Sequence, residues 1–435
     1  MRVYFSGGRG LVCTPEALVP ERKPHIMLTF HDIDSNGTLD RLNAYLTRKG
    51  HKPILKKEKK KRKPVTHPIH SQSVFMDSGA YSLYGIHVGE RRNKQGKEGY
   101  RNPRHPEGFL DRQKKRIWGS GDYSFYNLKP GSEFRKYCDR YAKWMKRLGE
   151  TSVLFTTVDA IMNPEISWKT QLYFENEHGV KPIPVLHGGT PLRYLDRYLE
   201  AGRYEMLGLG GLGHLMRIST YRPWADEVFR LICPRSNNYL PLVRVHGFAM
   251  TSWQLMSRWP WWSVDSATWI KLAAYGWMVI PQWTEESGFI YDRPPIQLNM
   301  SRKPTKSMTQ FWWNKEVKHP RQIADQHYDN CPHGMRENAD RWIHHLGVPM
   351  GSYKKRKGKF KILGDSEVKA LLDLGEAGLD DSILENGVTT CFKVRARVNL
   401  EYFKNFEQSR PKWPHPLGEQ IIKKLANTEE RTLGL

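Results

Sequence analysis

The sequence predicts an α/β fold built on a (β/α)8 barrel of the TIM type, with basic loop insertions and a small C-terminal α+β extension. Three observations predict it. Short apolar runs alternate with amphipathic segments through the first 280 residues. Most runs end in Asp, His or Gly, the kinds of residue that a barrel gathers at the carboxyl ends of its strands. Two of those endings nearly match, Asp77-Ser78 and Asp265-Ser266.

In chain order, strand-like runs fall at residues 26–30, 74–76, 153–158, 183–186, 206–209, 242–245, 262–264 and 277–280. Helical periodicity fills most gaps, at 38–48, 133–148, 165–178, 192–201, 224–232, 252–258 and 267–275. Pro164 and Pro191 stand where helices begin, since a first turn needs no N–H from them. Eight strands alternating with helices suit a closed parallel barrel better than an open sheet. Residues 1–5 are a ninth candidate and compete with 26–30 for the first barrel strand; the sequence leaves both open. The barrel is expected over 1–300, with basic inserts near 50–66 and 90–118. After Pro281 the alternation stops, and Trp312, Trp313 and the segments 331–333 and 342–345 suggest an extension packed on the barrel over 301–353. Lys354-Lys355-Arg356-Lys357 then marks a basic break. Beyond it, 367–374 reads as helix and 389–398 alternates like a strand, so a small basic α+β appendage is expected over 354–435.

Composition narrows the partner. The 69 Lys and Arg against 45 Asp and Glu leave a formal charge of +24 on 435 residues, which favours a polyanion. With 39% hydrophobic and 12% aromatic residues the chain can bury a sizeable core, which excludes a wholly disordered basic tail. The densest basic run holds Lys56, Lys57, Lys59, Lys60, Lys61, Arg62 and Lys63; Arg91 and Arg92 open a second. Each run reads either as solvating surface or as a grip on a nucleic-acid backbone, and several on one chain favour the grip. Five cysteines without a CxxC pair point to a reducing compartment. No apolar run approaches the roughly 20 residues of a membrane span, and the N-terminus is too short and polar for a secretory signal, so a soluble cytoplasmic protein is expected.

The residues at the ends of the runs carry the chemistry. They are Asp77 with Ser78 and Gly79, Asp159, His187 with Gly188 and Gly189, Gly210 with Gly211, His246 with Gly247, and Asp265. Side chains there point into a barrel mouth, and glycines let a flat ligand lie against the backbone, so the set suits a planar heterocycle. Two carboxylates can divide one displacement: one attacks and the other handles the proton. Other readings stand beside these. Asp265 can cap the helix that follows, the glycines can be turn residues, and His187 and His246 can be supporting groups rather than ligand contacts.

Asp77-Ser78-Gly79-Ala80-Tyr81 resembles the Asp-Ser-Gly-Gly-Phe signature of the queuine tRNA-ribosyltransferase (tRNA-guanine transglycosylase) superfamily. Val185-Leu186-His187-Gly188-Gly189 and Leu209-Gly210-Gly211-Leu212 resemble its Val-Gln-Gly-Gly and Gly-Gly-Leu segments, and Val264-Asp265-Ser266 stands in the place of its nucleophilic aspartate. The resemblance spans roughly residues 74–280 in the correct order and is nearest the branch, encoded by phages and in bacterial genomic islands, that places 7-deazaguanine bases in DNA.

The resemblance implies a pentosyltransferase. Asp265 would attack the sugar C1′, expel guanine and hold the sugar covalently until a free 7-deazaguanine, such as 7-cyano-7-deazaguanine, attacks the same carbon. Asp77 would be the acid and base. Asp159 would read the base edge, and the candidate base-binding set is Ser78, Gly79, Tyr81, Asp159, His187, Gly188, Gly189, Gly210, Gly211, Leu212, His246 and Gly247. The polymer partner would be DNA, with RNA as the alternative; a duplex hides C1′, so the nucleotide must be flipped out or met single-stranded. The compartment would be the host cytoplasm if the chain is phage-encoded. No redox cofactor is required.

Departures from the tRNA enzymes are specific. Ala80 and Tyr81 replace Gly and Phe, His187 stands where Gln is expected, and the Cys-x-Cys-x2-Cys-x25-His zinc pattern is absent. His327, Cys331, His333 and His344 offer a possible structural zinc set, but their spacing matches no zinc motif and no metal is expected. These departures weaken the tRNA assignment and leave base exchange intact. A tRNA-guanine transglycosylase acting on RNA and a noncatalytic nucleic-acid-binding barrel protein are the alternatives.

Overall fold

The computed structural model describes residues 1–6, 24–30, 42, 46–47, 49–50, 73–80, 83, 123–149, 151–161, 163–200, 202–211, 218–301, 326–353, 383–385 and 387–418. Eight short strands form one parallel sheet: β1 (Arg2–Phe5), β2 (His25–Thr29), β3 (Val74–Asp77), β4 (Leu154–Phe155), β5 (Val185–His187), β6 (Met206–Gly210), β7 (Arg244–Gly247) and β8 (Ser263–Ser266). Their order across the sheet is β4-β3-β2-β1-β8-β7-β6-β5. Beyond the two outermost strands, Thr156 and Ile183 make a parallel bridge, with Ile183 N–H donating to Phe155 O and Thr157 N–H to Ile183 O, both at 2.8 Å. The sheet is curled and compatible with a (β/α)8 barrel-like fold.

Both candidates for the first strand belong to the sheet. β1 lies between β2 and β8, pairing Tyr4 with His25 and Asp265. The run expected as the last barrel strand does not belong to it. Trp277–Ile280 (β9) pairs antiparallel with β12 (Ile296–Asn299), because an apolar run of four residues states burial without stating its partner.

Strand parity sorts the core. Tyr4, Met27, Phe75, Ile183 and Met206 cluster on one face of the sheet, with Phe248 packed against them. The alternate residues Ile26, Leu28, Val74 and Met76 pack instead with Phe134, Tyr137, Tyr141 and Phe174 of the covering helices. Because both faces are buried, the strands read as nearly continuous apolar runs rather than as alternation. Asp77 lies two residues beyond Phe75 and so takes the face of the first cluster.

Local signals explain the helices that cover the sheet. In α1 (Glu133–Leu148), Ser132 caps the first turn by accepting from Arg135 N–H at 3.2 Å, and Lys146 and Arg147 oppose the dipole at the other end. Phe134, Tyr137, Cys138, Tyr141, Met145 and Leu148 recur at three- and four-residue spacing and are its buried face. α2 (Pro164–His178) starts on the Asn163 cap with Pro164 in its first turn, and it ends at Gly179, whose φ of 61° only glycine adopts freely. α3 (Arg193–Leu199), α4 (Ile218–Ile232) and α5 (Trp253–Met256) complete the alternation through β8.

The chain divides into two compact units, Met1–Ala267 with Arg410–Leu435, and Thr268–Ser409. The second unit contains α6 (Thr268–Ala274), the β9/β12 pair, the antiparallel pair β10 (Gln282–Thr284) and β11 (Gly288–Ile290), α7 (His333–His345), the β13 (Ser352–Tyr353) and β14 (Ile383–Glu385) pair, and α8 (Phe392–Ser409). α8 overturns the strand expected at 389–398. That helix is buried on nearly every side, so its apolar residues show no single face. Its polar residues are spent on neighbouring backbone: Asn399 accepts from Val279 N–H at 2.7 Å and donates to Trp269 O at 2.8 Å, and Arg395 donates to Ala273 O at 2.9 Å and Val388 O at 2.7 Å. Among the described residues no helix is long and apolar enough to cross a membrane. The helix expected at 367–374, both basic inserts, and Trp312 and Trp313 lie outside the described residues.

Candidate active site

Asp77 closes β3, and the backbone on either side of it is pinned from three directions. Ser78 N–H donates to Thr156 Oγ1 at 3.0 Å. Tyr137 and Tyr141 reach in from α1 and donate their hydroxyls to Ser78 O at 2.5 Å and Met76 O at 3.2 Å. Gly79 then turns the chain at φ 82°. The Asp77 carboxyl accepts from the Ser78 and Gly79 N–H groups, yet burial, followed by the charges of Asp159 and Asp265, pushes it up to about 7. A carboxyl in that state gives and takes protons near neutrality. Two carboxylates far from it in sequence thus act on one group.

Asp265 stands on β8 and is 6% exposed. Its Oδ1 accepts from Ala249 N–H at 3.0 Å, and its backbone carbonyl accepts from Met250 N–H at 2.9 Å. Those bonds come from the loop after β7, while α6 begins only at Thr268, so the carboxylate serves the neighbouring strand end rather than capping the helix that follows. Ala249 is held at φ 57°, a conformation that costs a non-glycine residue free energy and that marks a fixed loop. On β7 itself, His246 is fully buried and its Nε2 faces Asp265 Oδ1 at 3.5 Å.

Asp159 and His187 form a second buried pair, and Asp159 lies within electrostatic reach of Asp77. Both are buried, at 5% and 7% exposure, and His187 Nε2 lies 2.9 Å from Asp159 Oδ2. The glycines around them allow close approach of β5 and β6. Gly188 N–H donates to Gly210 O at 2.8 Å, and a side chain on Gly211, at φ 97°, would begin 2.7 Å from Gly188 N. A side chain on Gly210 would start 3.4 Å from His187 Cδ2, and Gly189 turns the β5 end at φ 83°. Gly247 serves packing instead, because a Cβ there would meet Met250 Cγ at 2.6 Å and Trp261 Cζ3 at 3.0 Å; its bare backbone lets those core side chains close in. Ser78, fully buried, spends its Oγ on Ala80 N–H at 3.3 Å and belongs to the turn.

The structure adds Tyr137, Tyr141, Thr156, Ser263, Phe75 and Phe248 to the site's support. Tyr137 and Tyr141 lie four apart on the apolar face of α1, where the sequence shows only core spacing. Tyr81, Leu212, Lys56, Lys57, Lys59, Lys60, Lys61, Arg62, Lys63, Arg91 and Arg92 lie outside the described residues. In the second unit, both ring nitrogens of His327 are engaged, Nε2 with Ser301 O at 3.1 Å and Nδ1 with Asp329 N–H at 3.2 Å. Cys331 donates to Tyr328 O at 3.4 Å, and the His333 side chain is 92% exposed. Neither these residues with His344 nor any other His, Cys, Asp or Glu form a group of three or more able to hold a metal among the described residues.

Chemically, unit Met1–Ala267 offers a carboxyl that holds a proton near neutrality, a second carboxylate oriented by neutral groups, and a buried Asp–His pair beside bare glycine backbone. No family model, curated protein or solved structure matches the chain.

Proposed function

We propose that the chain is a DNA-guanine transglycosylase, a pentosyltransferase that exchanges guanine in DNA for a 7-deazaguanine through a glycosyl-aspartate, on a closed (β/α)8 barrel. The observation that carries the reading is the buried Asp77 carboxyl within electrostatic reach of Asp159 and Asp265, held near 7 by burial first and by those two charges second. The Thr156 to Ile183 bridge supports barrel closure.

In this reading Asp265 attacks C1′ as the bond from C1′ to guanine breaks. The bond's electron pair leaves with guanine, and Asp77 supplies a proton to the departing ring. The incoming base then gives its ring proton to Asp77 and attacks C1′, and the Asp265 carboxylate departs. Two displacements retain the anomeric configuration. The Asp159 and His187 pair, with the exposed amides and carbonyls near Gly210 and Gly211, recognises the base edge. The formal charge of +24 favours a nucleic acid, and the preference for DNA rests on the sequence resemblance.

The test is incubation of protein with DNA and 7-cyano-7-deazaguanine, digestion to nucleosides and mass spectrometry, with bulk tRNA in parallel and Asp265→Asn beside wild type. Modified deoxynucleoside from wild type and none from the variant is the expected result. Incorporation into tRNA alone would move the activity to RNA, and no product from either polymer would end the proposal.

A further inference from the structure

His246 faces Asp265 from the adjacent strand and is held too carefully for a space-filling ring. It stacks on Phe75 with centroids 4.4 Å apart, meets Phe248 edge-on at 4.5 Å and has Tyr4 beyond at 6.0 Å. A phenyl ring would fill that place without desolvating two nitrogens. Nδ1 lies 2.7 Å from Ser263 Oγ, whereas Nε2 has no hydrogen-bond partner among the described residues and points toward Asp265 Oδ1 at 3.5 Å. Oδ1 also accepts the Ala249 N–H, and among the described residues no hydrogen bond reaches Oδ2.

Resting on the base-exchange reading, we propose that His246 is a positioning residue: the Ser263 hydroxyl donates to Nδ1 and fixes the Nε2–H tautomer, which orients Asp265 through Oδ1 and leaves Oδ2 to bond to C1′. Burial holds the imidazole below its ordinary range, against the opposing pull of Asp265, so the donor is neutral. Asp265 on β8 and the Tyr4 hydroxyl on β1 are the titratable groups among these neighbours; Phe75, Phe248 and Ser263 carry none. A neutral N–H orients the carboxylate without locking it in an ion pair. An Nε2–H donates more strongly to the free carboxylate than to the glycosyl ester, so it also favours departure of Asp265 when the incoming base attacks.

Two measurements test this. Nitrogen-15 NMR of the histidines, with the His246 signals assigned from His246→Gln, is expected to show a neutral Nε2–H tautomer at pH 7 to 8, with a tautomer mixture in Ser263→Ala. An Nδ1–H tautomer or an imidazolium at pH 7 overturns the proposal whether or not the protein is active. In guanine exchange on DNA, His246→Phe is expected to turn over about 10- to 100-fold more slowly, the scale of one lost hydrogen bond to a charged group. The covalent protein–DNA adduct should accumulate above the wild-type level on a denaturing gel. His246→Gln, which keeps an N–H near the Nε2 position, should stay within about fivefold of wild type. A His246→Phe variant that turns over like wild type overturns the positioning role, and one that loses adduct and turnover in proportion overturns the part in departure. Wild-type protein that neither exchanges guanine nor forms adduct sinks the base-exchange reading, and the tautomer still decides the geometry at His246.

Discussion

Replacing Asp77 by Asn probes the electrostatics of the site without any substrate. The carboxyl rises from 3.8 to about 7 on folding, so between those values the native state keeps a proton that the unfolded chain has released. Native protein then binds more protons than unfolded protein, and stability falls as pH climbs through that window. At about 1.4 kcal/mol per pH unit, the interval from 3.8 to about 7 amounts to about 4 kcal/mol, charged in full only above it. Asn still offers an oxygen to the Ser78 and Gly79 N–H groups and cannot ionise. Asp77→Asn is therefore expected to be more stable than wild type by about 4 kcal/mol at pH 8, roughly 6 °C in Tm for a unit of this size, with the gap closing toward pH 4. Thermal unfolding of both proteins from pH 4 to 8.5 reads it directly. Melting curves that run parallel over the whole range would show that Asp77 ionises as it does in water, and the neutral-pH proton donor would disappear from the mechanism.

Three more outcomes follow from the same geometry. In an Asp159→Asn background the stabilisation from Asp77→Asn at pH 8 should shrink by about 1 kcal/mol, as expected of coupled charges; four-way thermal melts measure it, and equal gaps in both backgrounds would separate the two carboxylates. Gly211→Ala, with φ at 97° and backbone 2.7 Å away, should cost about 2–4 kcal/mol, whereas Gly179→Ala, at φ 61° in open space, should cost about 1 kcal/mol in urea unfolding. Asn399→Ala strips partners from Val279 N–H and the Trp269 and Trp277 carbonyls and should cost about 3 kcal/mol; a near-neutral result would mean that water replaces the side chain.

The strand ends were legible because the polar residues there interrupt apolar runs. Asp77, Asp159, His187, His246 and Asp265 each follow buried residues, and the parity of Phe75 and Asp77 fixes which face the carboxylate takes. What the sequence hides is partnership. Trp277–Ile280 and Arg2–Phe5 each end in three buried apolar or aromatic residues, and only pairing decides that the second joins the parallel sheet and the first an antiparallel pair. Tyr137 and Tyr141 pack as core while lending their hydroxyls to β3, a double use that spacing cannot express. Glycine is equally ambiguous. Gly211 sits where two strand ends touch, and Gly247 accommodates Met250 and Trp261, although both read as bare backbone beside a strand.

β1 carries a temporal consequence. It lies hydrogen-bonded between β2 and β8, and β8 bears Asp265. During synthesis β1 emerges about 260 residues ahead of β8, so one flank of this strand stays unpaired until most of the chain has left the ribosome. Asp265 is thus set in place late, against the oldest segment of the sheet, and under the proposed mechanism a nascent chain gains its attacking carboxylate only when translation is well advanced.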